Sequence, residues 1–171
     1  MGGKVFALTA LFGVVASVTM AVAERISFPA DYSTTFYNYL SLDRVQNDDQ
    51  IMRLFANDVA IDAASEGREL PAGSVIVGEI YKAKKDRDGK VVESSLGRRV
   101  RDKLVAVAVM EKGEGWGAAF PDNLRNDDWD FAIFSPDGKR LDKDLNACRS
   151  CHAPLTQSQH LFSLEHLARQ E

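Results

Sequence analysis

The chain has 171 residues, 45% of them hydrophobic, with 21 basic and 25 acidic side chains and a net charge of −4. That is enough chain for one domain with a substantial core. The mild acidity argues against a nucleic-acid or anionic-membrane partner, and two cysteines are too few for a disulfide-built scaffold.

At the N-terminus a single cation, Lys4, precedes the apolar run Val5–Ala16, and Ala21-Val22-Ala23 offers small residues at a cleavage site. The pattern is that of a secretory signal peptide over residues 1–23, cut after Ala23, leaving one domain over residues 24–171 in the periplasm. The uncharged stretch Val5–Ala23 is also just long enough to span a bilayer. Its Thr and Ser residues and its A-x-A end favour cleavage.

Within the ambiguous segment Phe36–Leu54, Phe36, Tyr37, Tyr39, Leu40 and Leu42 suit either a helix or an extended docking segment, followed by the acidic loop Asn47-Asp48-Asp49. Asn57-Asp58 caps a predicted helix through Val59–Ala64, stopped by Gly67. After the turn Pro71-Ala72-Gly73, Ser74–Tyr81 reads as a strand rich in β-branched residues. Asp86–Lys90 is a polar reversal, and Leu104–Met110 is a second strand, too short and too β-branched to prefer helix. A Gly-rich connection over 111–117 leads to Trp129–Phe134, a third strand closed by the turn Ser135-Pro136-Asp137-Gly138. Phe162–Gln170 is a predicted closing helix with Ser163 near its cap. The expected fold class is therefore α+β, a mostly antiparallel sheet with a few helices.

Cys148-Arg149-Ser150-Cys151-His152 is a C-x-x-C-H run, the attachment site for a c-type haem. Two thiols at this spacing lie on one side of a helical turn, where each can add to a porphyrin vinyl group. The adjacent His then serves as the proximal iron ligand. Arg149 and Ser150 fill positions of which this chemistry asks nothing. A zinc site built from the same three residues would need His160 or His166 as a fourth ligand, and a simple disulfide is the plainest alternative. One covalent haem c per chain, attached near a C-terminal helix, is the expectation. The late motif excludes an ordinary small cytochrome c, and the strands exclude a four-helix haem bundle.

In order along the chain, Ala56–Ala60, Leu70–Val77, Val109–Lys112, Gly115-Trp116-Gly117 and Trp129–Phe134, ending in Ala147–His152, resemble the cytochrome P-460 and cytochrome c′-beta family. The resemblance implies a small periplasmic haem protein of antiparallel sheet plus helices, usually a homodimer. It implies one of three activities. The first is binding of NO or CO at a five-coordinate haem, for detoxification, transport or sensing. The second is hydroxylamine or NO oxidation by a haem crosslinked to a lysine, and the third is simple electron transfer with a redox partner protein. Gly78 falls where the crosslinking lysine would be, and Lys82 shares its strand parity about 13 Å further on. The missing lysine favours the first activity. Arg53, Gly78, Glu79, Phe55 and Tyr81 are the residues the resemblance offers for a distal pocket, with Arg53 available to donate to a bound ligand. Met52 and Met110 are the only thioethers after Ala23. Met110 suits core packing, and His160 and His166 suit the proximal side better than a sixth position.

Overall fold

The computed structural model describes residues 24–168, so the signal-peptide expectation for residues 1–23 lies outside it. Five strands, β1 (Tyr37–Asp43), β2 (Gln50–Ala56), β3 (Val75–Ala83), β4 (Arg101–Lys112) and β5 (Trp129–Phe134), form one sheet in chain order. Every neighbouring pair is antiparallel. The helices are short: α1 (Tyr32–Thr35), α2 (Asp58–Ser65), α3 (Asn146–His152) and α4 (Leu164–Leu167). The expected α+β fold with a mostly antiparallel sheet is what the chain adopts.

The ambiguous Phe36–Leu54 segment is a β-hairpin, β1 and β2. Its alternation was masked by an irregularity between Asn38 and Leu40, which brings both Tyr39 and Leu40 onto the same packed face. α2 starts as expected. Asn57 Oδ1 accepts from Ala60 N at 3.2 Å and from Val75 N at 3.0 Å, so one side chain both caps the helix and ties it to β3. Gly67, at φ +67°, closes it in the left-handed conformation that glycine adopts without penalty. The closing helix is shorter than predicted, a single turn over Leu164–Leu167. Ser163 makes no capping bond there; its hydroxyl pairs with Tyr39 at 2.8 Å instead.

Strand alternation gives the sheet two unlike faces. On the back, Phe55, Val77, Val107, Val109, Ala132 and Phe134 are buried beneath Ile26, Phe28, Tyr32 and Phe36 of the N-terminal segment. On the front, Ala56, Ile76, Met110, Trp129 and Phe131 are covered by α2 alanines, Leu70, Leu161 and Leu167. Each such large apolar side chain contributes about 1.5–3 kcal/mol by leaving water. The front cover is incomplete. Met52, Leu54, Ile80, Ala106, Ala108 and Ile133 share that face by register and are only half-buried. The sheet thus presents a partly open apolar tray, with small residues Ala106 and Ala108 and the buried Gly78 near its centre.

Glu111 on β4 faces Asp130 on β5. Burial holds the Glu111 carboxyl above the ordinary carboxylate range, so the folded protein keeps a proton that the unfolded chain releases. Stability from this group therefore falls as pH rises through the ordinary carboxylate range to the raised value. Glu111→Gln is expected to raise the melting temperature at neutral pH and to leave it unchanged at about pH 3, where both states hold the proton. Thermal unfolding at the two pH values checks this; a difference of the same size at both would contradict it.

Candidate functional site

α3 begins at an Asx turn, where Asp144 Oδ1 accepts from Asn146 N at 2.9 Å. Cys148 and Cys151, three residues apart on this helix, share one side of a turn. Both thiols are free, Cys148 half-buried against the front core and Cys151 exposed. Burial pushes the Cys148 thiol up, against the pull of Arg149 and of Arg44 from the end of β1.

His152 closes the helix. Its ring stands edge-to-face between Phe131, at 5.2 Å between centroids, and Phe162, at 5.0 Å. Nδ1 lies 2.7 Å from the carbonyl oxygen of His160. A carbonyl can only accept, so Nδ1 carries the proton and donates it. Burial holds the imidazole below its ordinary pKa, keeping it neutral at pH 7. A neutral ring protonated at Nδ1 has its lone pair on Nε2, the state of a metal-ligating histidine.

The carbonyl is delivered by an unusual turn. Gln159 and His160 adopt φ of +52° and +62°, left-handed conformations uncommon for residues other than glycine. Such strain costs of order 1 kcal/mol or more per residue and persists only when neighbours impose it. Here Gln159 Oε1 accepts from Leu70 N at 2.7 Å, and His160 N donates to Leu155 O at 2.7 Å. His160 Nδ1 lies 3.2 Å from the His152 carbonyl, which occupies its buried ring beside His152. His166 is exposed, its Nε2 3.8 Å from Glu165 Oε1. Among the described residues no three His, Cys, Asp or Glu side chains converge as a metal cage.

Arg149, to which the motif chemistry assigned nothing, anchors the helix. Its Nη2 donates to Asp130 Oδ1 at 2.6 Å, with side chains only 11% and 7% exposed. The guanidinium stacks 4.4 Å over Phe120, and Asn126 Nδ2 donates to the Arg149 carbonyl at 3.1 Å. Reading the motif for haem chemistry alone passes over this residue, and over Phe131, Phe162 and the His160 carbonyl. None of these has a sequence signature of its own.

The five residues offered for a distal pocket are divided between the two faces. Gly78 is on the front; a Cβ there would stand 2.9 Å from Met52 Cε and 3.4 Å from Leu54 Cδ2. Arg53, Phe55, Glu79 and Tyr81 belong to the back. There Arg53 donates to Glu79 Oε2 at 3.2 Å, and its guanidinium lies 4.8 Å over the Phe55 ring. Tyr81 donates to the same oxygen and Tyr32 to Oε1, each at 3.0 Å. These side chains face away from the tray on the side of Cys148 and His152, because strand residues one apart point to opposite faces. Arg53, Tyr81 and Tyr32 thus satisfy the buried Glu79 carboxylate, with the Phe55 ring beneath the Arg53 guanidinium.

A family model, cytochrome P460, matches residues 29–163, most of the chain. The chain belongs to the cytochrome P460 family. No curated protein matches it. Membership of the cytochrome P460 family makes this a cytochrome and implies a haem cofactor, and the described residues fit one. A cysteine pair on one helical side, a neutral His with its lone pair on Nε2, and a half-open apolar tray are what a covalently held porphyrin requires.

Arg149→Met would leave the Asp130 carboxylate buried without its partner, a loss of about 3–5 kcal/mol. Adding Asp130→Asn is expected to recover a large part of it. Urea unfolding of the two single variants and the double variant measures the coupling; strictly additive losses would show that the pair does not hold α3.

Proposed function

We propose that this cytochrome P460 family member is a monohaem c-type protein of the periplasm that binds NO or CO. Cys148 and Cys151 would attach the haem, and His152 Nε2 would be its proximal ligand. The observation carrying this reading is the 2.7 Å bond from His152 Nδ1 to the His160 carbonyl. Such a bond fixes the tautomer and strengthens the donor nitrogen. When bound, the haem iron supplies an open coordination position for a small diatomic ligand.

The remaining work is done by the chain. Phe131 and Phe162 fix the rotation of the His152 ring, and Phe131 shields it from water. Arg149 and Asp130 seat the attachment helix on the sheet edge. Gly78, with Ala106 and Ala108 beside it, leaves room on the front face where a longer side chain would intrude. Gly78 also stands where the crosslinking lysine of hydroxylamine-oxidising relatives is expected, which favours ligand binding over that oxidation. Glu24 and Arg25, the first residues after the expected cleavage point, are seated on the body. Glu24 reaches Arg140 at 3.6 Å, and Arg25 donates to the Trp116 carbonyl at 3.0 Å.

A second reading rests on Met52. Its thioether is half-buried on the front face beside Gly78, and a methionine can fill a sixth position in electron-transfer cytochromes. On that reading Met52→Ala would open the iron to CO; on the first, it changes CO binding little.

The attachment claim is tested by the Cys148→Ala, Cys151→Ala double variant. Extraction with acidified acetone should remove all haem from the variant and none from the unmodified protein. Unmodified protein carrying tightly bound zinc in place of haem would overturn the claim. The room left by Gly78 is tested separately. Gly78→Leu is expected to slow CO binding by about tenfold or more, equivalent to roughly 1.4 kcal/mol. Flash photolysis measures it, and an unchanged rate would place Gly78 away from the ligand.

A further inference from the structure

Charge is distributed unevenly along this acidic chain. Residues 82–103 contain nine of its 21 basic side chains and four of its 25 acidic ones, so the remainder is strongly acidic. This segment comprises the end of β3, the start of β4 and the connection between them, which is folded as an arm. Bridges pair Lys85 with Val91 and Glu93 with Arg99, and Val92 N and Val100 N extend the ladder through Lys84 O and Val92 O. Among the described residues Lys82, Lys84, Arg87, Lys90, Arg101 and Lys103 are exposed and make no ion pair.

The arm is held in place. Arg99 Nη1 donates to the carbonyls of Arg44, Asn47 and Gln50 at 2.9, 3.2 and 3.1 Å, and Nη2 reaches Asp48 at 3.0 Å. Arg98 pairs with Asp43 at 3.1 Å and donates to the Ser41 carbonyl at 3.2 Å. These bonds join the turn carrying Leu96 to the β1–β2 loop carrying Val45. Both apolar side chains are 85% exposed, the most exposed large hydrophobics among the described residues. Two protruding apolar groups within a cationic, pre-organised frame have the composition of a protein-docking surface, with anchors inside a charged rim.

The surface adjoins the haem side of the molecule. Lys82, at the root of the arm, continues the front-face row of Gly78 and Ile80, the face against whose core Cys148 packs. We propose that the arm, with Leu96 and Val45, docks an acidic electron-transfer protein next to the haem. The redox character of that partner rests on the proposed haem; the docking chemistry does not. An anionic membrane fits less well, because the cations are interspersed with Asp86, Asp88, Glu93 and Asp102 and no amphipathic helix is present in the arm.

The test is stopped-flow electron transfer from the reduced holoprotein to two oxidised probes, an acidic blue-copper protein and a lysine-rich cytochrome c. The rate with the acidic probe should fall about tenfold or more between roughly 0.01 and 0.2 M ionic strength. Lys84→Glu/Arg87→Glu/Lys90→Glu should lower the low-salt rate by a similar factor, and Leu96→Ser by a few-fold with the salt slope kept. CO binding should be unchanged in both variants. Equal rates for variant and unmodified protein with the acidic probe would overturn the proposal. So would dissociation of a homodimer by these variants, or binding of the unmodified protein to phosphatidylserine vesicles at about 0.15 M salt. A protein without haem would react with neither probe, a failure of the haem reading that removes the partner's redox role with it. Loss confined to the acidic probe's advantage concerns the docking surface alone.

Discussion

The haem reading proposed for this chain turns on one hydrogen bond, from His152 Nδ1 to the His160 carbonyl. It decides which imidazole nitrogen is available and which way the ring points. It is also expensive to build, since two successive residues must adopt left-handed conformations to present that carbonyl. The chain meets the cost by bonding the turn to Leu70, itself fully buried between α2 and β3. The His152 ring is thereby referenced to the core of the fold rather than to a loose tail.

The sheet supplies the second constraint. Its back face is sealed by the N-terminal segment, with one buried carboxylate, Glu79, satisfied by two tyrosines and an arginine. Its front face is sealed only at the end where α2 and α4 pack, and lies half-open beyond them. Alternation makes both possible in the same strands: Val77 and Glu79 face the sealed back, while Gly78 between them and the half-buried Ile80 face the front. Under the proposed function, that less covered apolar face beside the C-x-x-C-H helix is where a porphyrin would pack.

Much of this was legible in the sequence. The strands at 74–81, 104–110 and 129–134 announced themselves through β-branched and aromatic runs, and α2 through its Asn57 cap and Gly67 stop. The short helix that carries Cys148, Cys151 and His152 follows from the close spacing of the C-x-x-C-H run. β1 was not legible, because the irregularity at Tyr39 breaks the period by which a strand is recognised, and β2 was read within the same ambiguous segment. The pairing of Arg53 with Glu79 on the face opposite Gly78 was not legible, because parity cannot be assigned until the strand's boundaries and partners are known. Arg149 and the His160 carbonyl escaped for another reason: their importance lies in contacts 19 and 8 residues away along the chain, which no local pattern records.

The measurement that bears most directly on the central claim is the absorption spectrum of the purified, dithionite-reduced protein before and after CO is added. A covalent haem held by His152 with its other side open predicts a high-spin haem-c spectrum that shifts on CO addition. A low-spin spectrum indifferent to CO would contradict the open site, and a strongly red-shifted Soret band before any addition would contradict the uncrosslinked haem.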